Sequence, residues 1–265
     1  MKYLINLSLL SLVAIFLAIT NISSDNLSII NCDVGQGDAT LVQFKNNQIL
    51  IDGGPDKSVL SCLGEYMPFY DRTIELVILT HPEKDHFGGL IDVFKNYNVS
   101  KFGTTNSESG SLEYKALINE VGSKGSDSII LDNRVNLRLG KIYLDILNPS
   151  KETTFKGSNN DGVVVLLKYD KFKALFTADV ENEVSDYLST NDKVQNVNYI
   201  KVNHHGSKNG LSEKLLQATK PKIAVISVGA KNSYGHPHKE ILDLLEKYNV
   251  KILRTDQIGN IEIEN

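Results

Sequence analysis

The chain has 265 residues, 41% of them hydrophobic and 23% charged, with a formal net charge of −4. This composition suits one globular domain with a substantial core and excludes collagen-like, low-complexity and disordered chains. The negative balance argues against a protein that coats nucleic acid by charge alone.

The first element is an apolar run over residues 3–20, preceded by Lys2 and followed by the polar stretch 21–26. It approaches the roughly 20 residues that a bilayer-crossing helix needs, and it has the charged-then-apolar order of a secretory signal. Residues 1–22 are therefore read as a signal peptide or an N-terminal membrane anchor, with 3–20 as the tether in the second case. Ala18-Ile19-Thr20 makes a poor cleavage site, so both alternatives stand. In either case the basic end stays in the cytoplasm and residues 27–265, secreted or anchored to the cytoplasmic membrane, are expected outside it. Cys32 and Cys62 can bridge only if their Cα atoms come within about 7 Å. A disulfide in an oxidising compartment and two free buried thiols both remain open.

From Leu27 onward, short β-branched runs alternate with helical patterns. Strands are expected at 28–31, 40–44 and 48–51, the last two joined by a hairpin turn at Asn46-Asn47. The run 75–79 is apolar after its first residue, as a strand buried on both faces should be. Further strands are expected at 129–131, 135–139, 141–147, 163–168, 171–176, 197–202, 223–228, 251–254 and 260–263. Helical patterns fall at 58–67, 87–97, 111–121, 180–188, 212–218 and 239–248; in the last, Ile241, Leu244 and Leu245 form an apolar stripe. Two mixed sheets packed together with helices outside accommodate this order, and a doubly wound α/β sheet fits the periodicity as well.

All six histidines fall in three tight groups, His81/His86, His204/His205 and His236/His238. Each group follows an expected strand, where an α/β scaffold gathers reactive groups. In Thr80-His81-Pro82-Glu83-Lys84-Asp85-His86, two imidazoles and two carboxylates can line one loop, a donor set that suits Zn²⁺, Mn²⁺ or Fe²⁺. Gly88-Gly89 behind it allows the backbone to approach whatever is bound. A tight glycine turn explains Asp33, Gln36, Gly37 and Asp38 as readily as ligand binding does. Asp179 has a competing reading as the N-cap of the following helix, and His236 one as a buried, hydrogen-bonded imidazole.

The loop from His81 to His86 resembles the His-x-His-x-Asp-His signature of the metallo-β-lactamase superfamily. The rest of the chain is similar to one branch, the extracytoplasmic hydrolase domain of ComEC-type DNA-uptake competence proteins. The matching segments run in order: Asp33-Val-Gly-Gln-Gly-Asp38, Leu50-Ile-Asp52-Gly-Gly, Leu79 through Gly89, Asn159-Asn160, Leu175-Phe-Thr-Ala-Asp179, Lys201-Val-Asn-His204-His205-Gly-Ser207-Lys208 and Tyr234-Gly-His236-Pro-His238. The resemblance implies a four-layer αββα sandwich and makes 27–265 the hydrolase domain. It implies two divalent metal ions, Mn²⁺ or Zn²⁺, held by His81, Glu83, Asp85, His86, Asp179 and His205, with Asp179 bridging and His204 as the rival to His205. Glu83 stands where most of the superfamily has histidine, and Asn160 near another such position; both leave the donor set richer in oxygen, which favours Mn²⁺ or Mg²⁺. Asp52 is expected to fix a ligand histidine, while Asp38, Asn160, His204, Ser207, Lys208 and Tyr234 orient ligands or meet substrate.

The reaction so implied is metal-assisted hydrolysis of a phosphodiester, with nucleic acid outside the cytoplasm as the leading substrate, Asp85 at the metal and His236 donating to the developing negative charge. Hydrolysis of a lactone, lactam or cell-wall phosphoester, and a non-catalytic DNA-binding module, are the rivals. Residues 200–254 carry ten Lys/Arg against four acids; a solvated surface explains this, and so does a cationic rim on which Lys201, Lys208 and Lys231 steer a polyanion. ComEC-type proteins also carry a multi-helix membrane channel, whereas this sequence has one apolar segment, so DNA transport by the chain itself is not expected.

Overall fold

The computed structural model describes Ser11 and residues 26–265; apart from Ser11, the apolar run read as a leader lies outside the described residues. Among those described, no helix is long and apolar enough to cross a membrane. Residues 27–265 build two seven-stranded sheets. The first contains β1 (Ser28–Asn31), β2 (Thr40–Phe44), β3 (Asn47–Ile51), β4 (Thr73–Ile78), β5 (Asn98–Thr104), β6 (Asp127–Ile130) and, from the chain's end, β14 (Ile261–Glu264), in the order β14-β1-β2-β3-β4-β5-β6. The second contains β7 (Asn136–Leu139), β8 (Ile142–Asn148), β9 (Val164–Tyr169), β10 (Phe172–Phe176), β11 (Tyr199–Lys201), β12 (Ile223–Ile226) and β13 (Lys251–Arg254), in the order β13-β12-β11-β10-β9-β8-β7.

Side chains of a strand alternate between faces, and here both faces are apolar. Ile29, Val42, Ile49, Leu144, Val165, Leu167 and Phe176 point between the sheets into the central core. Their neighbours Ile30, Leu41 and Leu50 pack outward with side chains of α1 (Val59–Tyr66), α3 (Leu90–Asn96) and α4 (Leu112–Lys124). On the other side Val164, Leu166 and Leu175 meet α5 (Asn182–Ser189), α6 (Glu213–Thr219) and α7 (Lys239–Lys247). The result is the αββα sandwich, with two helical layers enclosing two sheets.

The expected elements differ from these in a few places. The hairpin turn is Lys45-Asn46, since Phe44 pairs with Asn47, and Lys45 takes up the left-handed backbone at φ 55°. Strand β5 was not expected, because Asn98, Ser100 and Lys101 dilute its apolar pattern; parallel pairing with β4 and β6 makes it a strand. The single helix expected at 87–97 is two, α2 (Lys84–Phe87) and α3. Gly88-Gly89 separates them, and a Cβ there would lie 2.1 Å from the Pro55 and Gly53 carbonyl oxygens. These glycines thus admit a neighbouring loop rather than a ligand. The short α8 (Thr255–Ile258) is also additional.

Parallel strands put their C-terminal ends on one rim. β3 leads into Asp52, β4 into His81, β10 into Asp179, β11 into His205 and β12 toward His236. The starts of these strands occupy the opposite rim, together with the ends of the antiparallel β2 and β9.

Cys32, just after β1, is bonded to Cys62 in α1 across a Cα–Cα distance of 5.7 Å. A bridge closing a loop with a sequence separation of 30 restricts the unfolded chain by about 3–4 kcal/mol. Reduction, or Cys62→Ser, is expected to lower the melting temperature by about 6–16 °C in scanning calorimetry; a shift under about 2 °C would show that the bridge constrains little.

Candidate metal centre

The site forms where loops after strands of both sheets meet. His81 and His86 are fully buried and their ring centroids lie 4.1 Å apart. His86 Nδ1 sits 2.8 Å from Asp52 Oδ2. Asp52 is itself fixed from the Thr80 backbone N–H and hydroxyl, each donating at 2.8 Å. His205 Nδ1 lies 2.9 Å from the Ser227 carbonyl oxygen and 3.3 Å from Asp38 Oδ1. With Nδ1 held from behind, each ring turns Nε2 toward the centre. There Asp179 Oδ2 stands 3.4 Å from His86 Nε2, 3.5 Å from His205 Nε2 and 3.7 Å from His204 Nε2. Asp85 Oδ2 completes the group, 3.5 Å from His205 Nε2. One donor atom each from Asp85, His86, Asp179 and His205 lies within 4.8 Å of the others.

These donors fit a cation on an observation independent of their identity. Nε2 of His81, His86 and His205 and Oδ1 of Asp179 are buried without a hydrogen-bond partner. Buried polar atoms are seldom left so, and an ion is a standard reason. Electrostatics says the same. Burial disfavours charge on His86, yet Asp179 and Asp52 overcome it and raise its pKa well above the ordinary imidazole value. Burial likewise opposes charge on His205, and Asp179 and Asp38 push its pKa up to about 10. Asp179 is buried too, but the facing imidazoles hold its carboxyl well below the usual range. The carboxylates thus favour positive charge at this place. His81, whose pKa falls to about 3 through burial and the His86 charge, stays neutral.

A second carboxylate group, Asp38, Asp52 and His86, also clusters. Its oxygens are already committed, Asp38 to the Lys201 ammonium at 2.7 and 2.8 Å and Asp52 to Thr80. It is a support for the first group and not a rival to it.

The backbone carrying these residues is unusual. Asp52, Ala178, His204 and His205 all have positive φ, between 47° and 59°. For residues with a Cβ this costs on the order of 1–3 kcal/mol each, and such strain gathers at functional sites. Gly206 follows at φ 81°, where a Cβ would lie 2.5 Å from Pro237. Gly37 is pressed on the Asp85 carbonyl oxygen, with 2.3 Å available for a Cβ.

The remaining expected residues divide. Glu83 is half-exposed at the rim, its Oε2 3.9 Å from His81 Nε2 and its Oε1 accepting from Ser158 Oγ at 3.1 Å. His204, partly exposed, has its Nε2 3.7 Å from Asp179 Oδ2, but of the two neighbours only His205 falls within the four-donor group. His236 lies over the site, 5.7 Å from the His204 ring, and Tyr234 stacks outside it at 5.7 Å and 23°. Burial, then the His205, His204 and His238 rings, lower the His236 pKa to about 4, so its imidazole is neutral near pH 7. Asn160 is turned away, donating to the Lys156 carbonyl and accepting from the Glu181 N–H. It braces the loop with both amide atoms engaged. Ser207 is buried and accepts from the Asn209 N–H at 3.5 Å. Asp179 is not a helix cap, because α5 starts beyond it with Glu181 at its N-cap.

The cationic rim does not form as the charge count suggests. Lys201 is buried on Asp38. Lys214, Lys239, Lys247 and Arg254 pair with Asp186, Asp243, Glu213 and Asp256. Lys220, Lys222 and Lys251 sit at strand starts, on the far end. Only Lys208 and Lys231 of that stretch remain exposed near the histidines. Thr80, Ser227 and Lys201, which hold the ligands' supports, were not singled out by sequence for that role. The position of Thr80 at the strand end directly before His81 was the available signal.

Comparison with known proteins identifies the family and the fold. The family model described as "Metallo-beta-lactamase superfamily" matches residues 32–230. The chain is 27% identical over 248 residues to ComE operon protein 3 of Bacillus subtilis, covering 87% of this chain and 32% of that protein. It is 27% identical over 235 residues to Recombination protein 2 of Haemophilus influenzae, covering 87% and 28%. It is 24% identical over 235 residues to Competence protein ComA of Neisseria gonorrhoeae, covering 87% and 31%. These are ComEC-type competence proteins, and the chain spans about a third of their length. Among solved structures, the metallo-β-lactamase fold protein YhfI of Bacillus subtilis superposes with a TM-score of 0.63 at 12% identity, covering 90% of this chain and all of that one (100%). A diphosphatase of the PhnP family gives 0.54 at 12%, covering 89% and 98%. At such identities these likenesses carry the fold alone.

Because ligand imidazoles must lose protons that Asp179 now holds on them, divalent metal uptake is expected to release up to two protons near pH 7 and to tighten as pH rises toward about 10. Calorimetric titration in buffers of different ionisation enthalpy reads this directly, with roughly tenfold in affinity per pH unit for each proton released. Asp52→Ala is expected to weaken metal binding by about 10–100-fold in chelator competition; unchanged affinity would remove Asp52 from its supporting place.

Proposed function

The chain belongs to the metallo-β-lactamase superfamily of metal-dependent hydrolases, and on that premise we propose that it cleaves phosphodiesters, with nucleic acid outside the cytoplasm as its substrate. The observation that carries the reading is the convergence of Asp85, His86, Asp179 and His205 with unpartnered buried Nε2 atoms. The ComEC-type relatives favour nucleic acid over a lactone or lactam. The Cys32–Cys62 bridge supports a place outside the cytoplasm, because disulfides persist in oxidising compartments.

In this reading Asp85, His86, Asp179 and His205 would hold a divalent cation, and the neighbouring His81 and Glu83 would extend the donor set. The mixture of imidazole and carboxylate suits Mn²⁺ or Zn²⁺. A divalent ion there would supply acidification of water near neutral pH and charge balance for phosphoryl oxygens. The protein's own residues do the rest. Asp52 and the Ser227 carbonyl lock the orientation of His86 and His205. The Lys201–Asp38 pair fixes His205 from behind without reaching substrate. His236, neutral and half-buried above the centre, donates a hydrogen bond to the charge developing on a phosphoryl oxygen. Lys208 and Lys231 attract the phosphate backbone from the exposed edge.

The purified chain supplied with Mn²⁺ is expected to cut single-stranded DNA and a simple phosphodiester. Failure on both, with metal bound, would sink the reading, and cleavage of a lactone alone would replace it. Asp179→Asn should abolish turnover. His236→Ala should lower kcat about 10²–10³-fold with little change in KM. Lys208→Ala with Lys231→Ala should raise KM for DNA and flatten its salt dependence.

A further inference from the structure

The end of the molecule opposite the metal centre carries cations and exposed rings that hydrolysis does not use. The turns there converge: the Phe44 and Tyr169 rings lie 5.1 Å apart, and Gly140 packs on Asn47 and Phe44. Lys141, Lys171, Lys222 and Lys251 are exposed at the starts of β8, β10, β12 and β13, Lys220 closes α6, and Arg72 precedes β4. Lys251 N donates to the Lys222 carbonyl at 3.1 Å, and Lys222 N to the Asn198 carbonyl at 3.1 Å, so these lysines stand side by side. Among the described residues none of these six cations has a carboxylate at ion-pair distance, although exposed Asp170 and Glu264 share this end. Beside them Phe69 and Tyr70, 72% and 56% exposed, form an edge-to-face pair with centroids 5.5 Å apart in the loop before β4.

The chain also enters here. Leu27 and Asn265 exchange backbone hydrogen bonds of 3.2 and 2.9 Å at the start of β1. The apolar run 3–20 ends six residues before Asn26, and a fully extended stretch of that length reaches only about 20 Å. A bilayer that takes up the run is therefore held within about 20 Å of this end. Amphipathic rings favour the headgroup region, and lysines near an anionic surface are attracted within a Debye length.

We propose that this end is a membrane-facing surface that docks on an anionic phospholipid bilayer. Lys141, Lys171, Lys220, Lys222, Lys251 and Arg72 meet headgroup phosphates, and Phe69 and Tyr70 enter the interface. Docked so, the metal centre opens away from the lipid into the aqueous phase. A basic face with rings would also suit single-stranded nucleic acid, but the reach from the apolar run favours lipid.

The sequence contains no tryptophan, so Phe69→Trp and Tyr234→Trp each introduce a single probe at opposite, exposed ends. The full chain is mixed with phosphatidylglycerol vesicles, and with phosphatidylcholine vesicles as the neutral control. On phosphatidylglycerol, the Phe69→Trp emission is expected to shift to shorter wavelength and to be quenched by brominated lipid, while Tyr234→Trp stays open to acrylamide. Adding Lys171→Gln, Lys222→Gln and Lys251→Gln should lower the docked-to-free ratio roughly fivefold per lysine and return the Phe69→Trp probe to water. The proposal is overturned if the chain floats with the vesicles while both probes remain equally open to acrylamide, since the apolar run alone then holds it. It is overturned equally if the chain ignores the vesicles, or if a single-stranded oligonucleotide and not lipid shifts the Phe69→Trp emission.

Discussion

Asp179 is the constraint around which the rest is arranged. A carboxylate buried with three imidazole nitrogens at 3.4–3.7 Å has given up water for basic partners, two of them, His86 and His205, equally dry. Such a group is stable only when positive charge balances it. The raised pKa values of His86 and His205 express that need, and a divalent cation would meet it with more charge while using the orphaned Nε2 atoms of both rings. The raised imidazole pKa values and the unpartnered atoms are thus two signs of one imbalance.

The balance is kept by residues that never reach the centre. Thr80 holds Asp52, which holds His86; Lys201 holds Asp38, which with the Ser227 carbonyl holds His205. Each ligand therefore has a fixed ring orientation before any ion arrives. The left-handed residues Asp52, Ala178, His204 and His205 make these directions reachable at the ends of straight strands. The two stacked sheets supply the stabilisation that offsets this strain, since three apolar layers hold the strand ends in register.

Charge divides the molecule along its strand axes. Carboxylates concentrate where parallel strands end, and uncompensated lysines stand where they begin. The first arrangement follows from chemistry that needs acceptors for a cation. The second has no bearing on that chemistry, and it lies on the side where the described chain starts.

The histidine groups, their position after strands and the alternation of strand and helix were legible along the chain, because each depends on local period or on adjacency. Most strands of both sheets follow from that pattern, and the metallo-β-lactamase motifs fixed which residues to watch. Strand β5 escaped, since Lys101 and Ser100 break its pattern and only its neighbours' free backbone groups make it a strand. Asn160 read as a site residue because it falls near a histidine position of the superfamily; its amide engages Lys156 and Glu181, a fact of direction that no spacing contains. The basic stretch 200–254 misled for the same reason: lysines contiguous in sequence are sent to a buried pair, to surface pairs and to the far end. Ligand identity is thus a property of the chain, whereas ring orientation, protonation and the direction of each charge arise only when distant segments meet and exclude water.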